Sequence, residues 1–189
     1  MLSYHQREER EERLRLAKYF LGLSLGTALC TAAYAAATSR DEALATFKDA
    51  TATYAKVCTA GPNDAPTLPE TMEDRSGNAV AAAEEILSKG DDAELLKALL
   101  DYVAASDCSA DESRAFTLGA IFHQRPDALE KAIAASPDKQ RCELVGQLDW
   151  GWQNEIYDKK LDPKLKADRE TRLAKLKAAL PASCKEDKQ

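Results

Sequence analysis

Signals for helix starts recur along this chain, and they constrain its fold more than any other feature. A potential N-cap residue opens Ser39-Arg-Asp-Glu42, Asp91-Asp-Ala-Glu94 and Asp162-Pro163. An N-cap oxygen accepts a hydrogen bond from an early helix N–H, and a Glu three residues later can reach back to the cap. Apolar residues then recur at helical spacing, whereas strand-like alternation is scarce. The pattern predicts a protein made of α-helices.

The links between these segments are short, which favours an irregular stack of antiparallel helical hairpins. We expect about seven helices, at 41–58, 78–88, 92–105, 111–124, 127–135, 137–158 and 163–180. Further start signals are a capping box at Ser109–Glu112 and an N-cap at Ser136 before Pro137. Gly90 is expected to end a helix in the left-handed conformation. The proline-rich stretch 61–76 is interpreted as an irregular connector, with a partner-contacting loop as the alternative.

A run of uncharged residues, Tyr19–Ala37, precedes the helical region. It is long enough to span a bilayer, but its second half is mostly Ala and Thr, and Ala33-Tyr34-Ala35 is typical of a signal-peptide cleavage site. We predict a signal peptide at 1–35 followed by one domain at 36–189. The residues before the run carry four Glu and five Lys or Arg, which is unusual for a leader. A start codon further downstream or a retained membrane anchor would explain them.

Either fate of that segment places the helical region outside the cytoplasm, in the periplasm or secreted, or anchored at the inner membrane. Four cysteines follow the segment: Cys58, Cys108, Cys142 and Cys184. In an oxidising compartment, an even number of widely spaced cysteines indicates disulfides, here two, with three pairings open. No C-x-x-C motif is present, and His123 is the only histidine after the segment, so no metal site is predicted.

The charge balance argues against a nucleic-acid partner. The net charge is −6, and removal of residues 1–35 would make it −7, since they hold five basic and four acidic residues. An acidic domain repels phosphates, whereas it attracts a basic protein. The sequence therefore favours a protein partner, with membrane association only if 19–37 is retained.

The most unusual local motif is Asp149-Trp150-Gly151-Trp152. Two tryptophans that are two positions apart on a helix point about 200° apart, so one can enter the core while the other faces solvent. An exposed Trp beside Asp149 could stack on a sugar ring or anchor a partner. Gly151 would allow another helix to approach closely. The alternative is that both tryptophans pack between helices.

No catalytic constellation is recognised. His123 has no nucleophile in a recognisable motif and no second histidine after the export segment, and the acids Glu70, Glu73 and Asp74 lie in a stretch without an aromatic groove. No calcium-loop pattern or cofactor motif occurs, so no cofactor is predicted. The preferred interpretation is an exported, disulfide-braced, protein-binding domain, for example a periplasmic inhibitor or immunity-type protein. An enzyme acting on an envelope polymer and a membrane-anchored scaffold subunit are the alternatives.

Overall fold

Seven α-helices lie within the parts of the chain that the structure, a computed structural model, describes: residues 38–59, 70–108, 112–158 and 161–185. They are α1 (Arg40–Val57), α2 (Glu70–Lys89), α3 (Ala93–Ala105), α4 (Ser113–Gln124), α5 (Pro126–Ala134), α6 (Asp138–Asp158) and α7 (Pro163–Ala178), followed by a 3₁₀ turn at Ala182–Lys185. No strand occurs in these ranges. The all-α prediction is confirmed, while the export segment and its cleavage site lie outside the described residues.

Two of the predicted helix starts are formed by the cap residues named above, and a third is shifted by one residue. Ser39 and Glu42 make a reciprocal capping box at α1. The cap of α3 is Asp92 and not Asp91, and its carboxylate accepts from the Leu95 backbone N–H at 3.0 Å. Asp162 accepts from two backbone N–H groups at the start of α7, where Pro163 takes the first helical position. These starts depend on contacts within a few residues, which is why the sequence predicts them.

Residues 61–76 were predicted to form an irregular connector, but residues 70–76 are helical. Residues 60–69 lie outside the described residues. Helix α2 begins at Glu70, not near residue 78. The reason is burial, because Met72 and Ser76 are covered by the core on the same face as the later residues of α2. Gly77 lies at an open position, where its helix penalty of about 1 kcal/mol is tolerated.

Two cap assignments were also wrong. Gly90 follows α2 without the left-handed conformation, since no described glycine has a positive φ. The Ser136 hydroxyl donates back to the Ala132 carbonyl of α5 at 3.1 Å instead of capping α6. Helix α4 begins at Ser113 with Glu112 in the cap position, and Ser109 of the expected capping box lies outside the described residues.

The helices surround an apolar core that is built from helix pairs. Helix α1 packs against α2 and α3, α2 packs against α4, and α4 forms its most extensive contact with α6. Phe47 of α1 stacks on Tyr102 of α3 with ring centroids 5.4 Å apart. Phe122 of α4 meets Trp152 of α6 edge to face at 5.7 Å. Aromatic pairs of this kind add to the stabilisation from apolar burial.

Two disulfides join the ends of helices, which confirms the predicted number and settles the pairing. Cys58, just after α1, is bonded to Cys108, just after α3. Cys142 in α6 is bonded to Cys184 in the 3₁₀ turn, so the segment after α7 is tied back to the domain. The bonds span 50 and 42 positions of sequence. Their presence is compatible with a location outside the cytoplasm.

Candidate functional site

The crossing of α4 and α6 positions the most unusual surface of the domain. A Cβ atom added to Gly151 would lie 1.7 Å from the Ala115 carbonyl oxygen, and one added to Gly119 would lie 2.8 Å from the Gly151 carbonyl. The two backbones therefore touch, and only glycine fits at Gly151. The sequence-based expectation that Gly151 admits a close helix is confirmed. A contact between backbones leaves little freedom for the residues beside it.

Two aromatic side chains project next to this crossing, one from each helix. Phe116 of α4 and Trp150 of α6 are the large hydrophobic residues that remain exposed in the described chain, at 37% and 38%. Their ring centroids are 5.1 Å apart and the rings are tilted by 59°. They form one continuous apolar surface, which we call the aromatic pair. The close contact of the backbones at Gly151 brings the two helix segments that carry these rings together.

Trp152 is buried, whereas Trp150 is exposed, as expected for two residues that point about 200° apart on a helix. It is 1% exposed and packs between Phe122 and His123, the latter ring lying 6.3 Å away and nearly parallel. A buried indole has no surface to offer a large ligand. Of the two tryptophans, only Trp150 is placed where a partner could contact it.

Asp149 is near Trp150 in sequence, but its carboxylate is engaged in the fold. It forms an ion pair with Lys177 of α7 at 2.6 Å and accepts from the Gln153 side-chain amide at 3.2 Å. Asp149 therefore fastens α7 to α6. The binding role predicted for Asp149 stays a prediction.

Three acidic side chains are connected to the aromatic pair along the chain or through a hydrogen-bonded neighbour. Glu112 is exposed one helical turn before Phe116. Asp107 accepts from the Gln147 side-chain amide at 3.2 Å, and Gln147 lies about one turn before Trp150. Glu84 of α2 accepts at 3.0 Å from the hydroxyl of Thr117, which follows Phe116 in the chain.

The helical spacing of Phe116 with Leu118, Ile121 and Phe122 predicts an apolar face for α4 and does not by itself predict that Phe116 is exposed. The angular argument used for the tryptophans would have found it. Phe116 and Leu118 are two positions apart, so they point about 200° apart on α4. Leu118 is fully buried and Phe116 is exposed. What the angle could not provide is the meeting of Phe116 with Trp150, which depends on the helix crossing.

The remaining candidates of the sequence analysis do not come together. His123 lies against Trp152, and its carbonyl accepts from the Arg169 guanidinium at 2.8 Å. Glu73 and Asp74 are exposed near the start of α2, and the Glu70 side chain lies outside the description. No group of three or more potential metal ligands occurs among the described side chains. None of these residues lines a cleft with a second catalytic group.

A sizeable groove lies in the described part of the domain, away from the aromatic pair. Its volume is about 760 Å³, and it lies between α3 and α5, at the end of α4 opposite to Phe116. Its floor is apolar and its rim carries charged residues. A volume of this size lies within the range of roughly 300–1,000 Å³ that is typical of small-molecule sites.

Comparisons with known proteins give no relative for this chain. No protein family, no curated protein and no solved structure matches it. Among the described helices, none combines the length and apolar character that crossing a bilayer requires.

Proposed function

We propose that this chain is an exported, disulfide-braced domain that binds a basic protein through the aromatic pair Phe116–Trp150. The observation that carries the proposal is the pair itself: two large rings, both more than one third exposed, 5.1 Å apart on a rigid helix crossing. Exposed apolar side chains that form one contiguous surface, unlike singly scattered ones, are a feature of interaction sites. Aromatic residues are also enriched among the residues that dominate protein–protein binding energies.

The chemistry around the pair indicates the kind of partner. The face of an exposed indole attracts a Lys or Arg side chain, and the nearby carboxylates of Glu112 and Asp107 strengthen this preference. The net charge of −6 would also speed the approach of a basic protein at low ionic strength. A partner that offers Arg or Lys next to an apolar side chain would satisfy both features.

Within this class, the inhibitor or immunity-type role is the specific version that we favour. A small, rigid, acidic domain that presents fixed aromatic rings suits the blocking of a basic envelope enzyme or toxin, because little conformational freedom is lost on binding. The two disulfides support a place of action in an oxidising compartment. A membrane-anchored scaffold would use the same surface and would differ in retaining residues 19–37.

The proposal can be tested by site-specific photo-crosslinking in cells that produce the protein. A photoreactive phenylalanine analogue would replace Trp150, and a matched control would carry it at Lys175, an exposed position of α7 with no ion-pair partner in the described chain. We expect a discrete adduct with a basic protein from position 150 and not from position 175. Absence of a position-150 adduct, or the same adducts from both positions, would contradict the proposal.

Purified components then test the contact itself. Phe116→Ala and Trp150→Ala should each weaken binding of the crosslinked protein by about tenfold, which corresponds to roughly 1.4 kcal/mol. Lys175→Ala should leave the affinity unchanged, and binding of the wild type should weaken as salt is raised. If the double variant Phe116→Ala/Trp150→Ala binds as tightly as the wild type, the aromatic pair is not the contact surface.

A further inference from the structure

The groove between α3 and α5 has a floor built from side chains of four helices. The apolar residues that line it are Leu87, Leu96, Leu100, Ile121, Ala128 and Ala132. The small side chains of Ala128 and Ala132 leave space along α5, while the larger leucines close the bottom. Along α3 the lining runs from Ala93 to Asp101, a length of about 12 Å at the helical rise. The groove is therefore elongated and apolar at its base.

Almost every charged group at the rim is already neutralised by a neighbour. Asp91 pairs with Arg125 where α3 and α5 begin. Lys97 pairs with Asp101 at 2.6 Å along α3. These pairs hold both walls in place, but they leave little net charge to attract a ligand.

The two other rim acids are held by arginines outside the groove. Asp92 accepts from Arg40 at 3.1 Å, and Asp127 from Arg172 at 2.7 Å. Lys131 is the exception among the charged rim residues, since its side chain has no ion-pair or hydrogen-bond partner in the described chain. Lys131 lies on α5 next to Ala132 and one turn after Ala128, beside the apolar floor. A free cation at the edge of an apolar groove fits a ligand that is anionic at one end and apolar along its length.

We propose that this groove binds a single-chain amphiphile with a carboxylate head, such as a medium-chain fatty acid. The tail lies over Leu96, Leu100 and Ala132, and the carboxylate meets the Lys131 ammonium at the rim. Burial of the alkyl chain supplies the affinity, since each methylene removed from water adds to the free energy of binding. Because the other charges at the rim are paired, the ammonium group of Lys131 determines that an anionic head group is preferred.

Helices α3 and α5 contact each other. The groove that they line has a volume of about 760 Å³, which is in the range typical of sites for small molecules. This ligand would act independently of the aromatic pair, which lies at the other end of α4.

The test uses the purified, oxidised protein and decanoate at concentrations below those at which it aggregates. Binding is followed by isothermal titration calorimetry and by NMR shifts of the amides of Leu96, Leu100 and Ala132. Decanol and decyltrimethylammonium serve as ligands with the same tail but no charge or the opposite charge. We expect saturable decanoate binding, shifts confined to the groove, weaker binding of decanol and the weakest binding of the cation.

Two variants test separately how the head group and the alkyl tail contribute to binding. Lys131→Gln should weaken decanoate binding about fivefold, the effect of a single exposed ion pair, and should leave decanol unchanged. Lys139→Gln, an exposed lysine of α6 that does not line the groove, is its matched control. Ala132→Phe should fill the groove and abolish binding of all three ligands, with its melting temperature measured to verify folding.

Several results would overturn the proposal. Equal binding of decanoate and the decyl cation would remove the assigned role of Lys131, and so would equal losses in Lys131→Gln and Lys139→Gln. Shifts outside the groove would place the ligand elsewhere. If the groove amides shift with protein concentration and not with decanoate, a second copy of the chain occupies the groove and the proposal is wrong.

Discussion

Helices α3 and α7 have similar lengths, 13 and 16 residues, but they are attached to the domain in different ways. Helix α3 buries seven side chains, all of them aliphatic or aromatic: Leu95, Leu96, Ala98, Leu99, Leu100, Tyr102 and Val103. Helix α7 buries two, Arg169 and Leu173. Apolar burial is the main source of stability for α3, whereas α7 has too little buried apolar surface to depend on it.

Polar contacts and a covalent bond take the place of apolar burial at α7. Arg172 reaches Asp127 and Glu130 of α5, at 2.7 and 2.9 Å. Lys177 pairs with Asp149 of α6, and the Cys142–Cys184 bond follows the helix directly. Ion pairs with exposed members are weak individually, so the disulfide has the larger share of the attachment. The comparison shows that a helix can be positioned by directional contacts when its own sequence is mostly polar.

The largest difference between the two helices is expected for leucine truncation. Leu99→Ala in α3 should lower the free energy of unfolding by about 2–5 kcal/mol, because Leu99 is fully buried and leaves a cavity. Leu176→Ala in α7 should cost less than about 1.5 kcal/mol, since Leu176 is only partly buried against the core. Urea unfolding of both variants measures the difference. Equal losses would mean that α7 depends on apolar burial as much as α3 does.

Removal of the Cys142–Cys184 bond tests the covalent attachment. The chain-entropy estimate for a loop of 42 residues is about 4 kcal/mol, and the double variant Cys142→Ala/Cys184→Ala should lose roughly 2–4 kcal/mol. Hydrogen exchange should accelerate in α7 far more than in α3. The matched variant Cys58→Ala/Cys108→Ala should instead affect the ends of α1 and α3. If α7 amides stay protected without the bond, the ion pairs alone hold the helix.

The sequence predicts those features of the fold that depend on near neighbours along the chain. Caps such as Ser39 and Asp162 need only residues two or three positions away, and they are correct. The start of α2 was wrong because burial of Met72, a tertiary contact, outweighs the local signals against a helix. The pairing of the cysteines and the burial of Arg114 beneath the Ser106 carbonyl likewise depend on chain segments brought together by folding.

The same limit applies to the candidate sites. Trp150 was found because its neighbour Trp152 points the other way on one helix. Phe116 completes the surface only through the crossing at Gly119 and Gly151, which no local pattern specifies. The groove beside Lys131 is lined by residues of five helices, so its residues share no motif. A motif search can find individual residues, whereas a surface whose residues come from several helices can be recognised only when the fold is known.

Removal of Asp92, the cap of α3, should lower the free energy of unfolding less than Leu99→Ala or removal of the Cys142–Cys184 bond. Its effect should also depend on pH. Hydrogen bonds from Arg40 and from the Leu95 backbone lower the pKa of the Asp92 carboxyl below its ordinary value of 3.8. Asp92 therefore stabilises the fold above this value, and the contribution is lost as pH falls below about 4 through the lowered pKa. Asp92→Ala should cost about 1–2 kcal/mol at pH 7.

Asp92→Asn is the matched control for the charge, because Asn caps a helix nearly as well as Asp but does not titrate. It should retain most of the stability at pH 7 and should show a flatter loss between about pH 4 and 2 than the wild type. Thermal unfolding across this pH range measures both effects. An identical acid dependence in the wild type and Asp92→Asn would show that other carboxyls are responsible.

The smallest expected losses in the free energy of unfolding come from removing ion pairs, in α7 and in α3. Arg172→Gln removes contacts to Asp127, Glu130 and Asp168 together, and the partly buried network should contribute about 1 kcal/mol at low salt. Lys97→Gln removes one exposed pair with Asp101 and should cost about 0.3 kcal/mol. The two losses should converge as salt is raised to about 1 M, where charges are screened over roughly 3 Å. If Arg172→Gln costs no more than Lys97→Gln at low salt, the polar contacts of α7 orient the helix without stabilising it, and the disulfide alone accounts for its attachment.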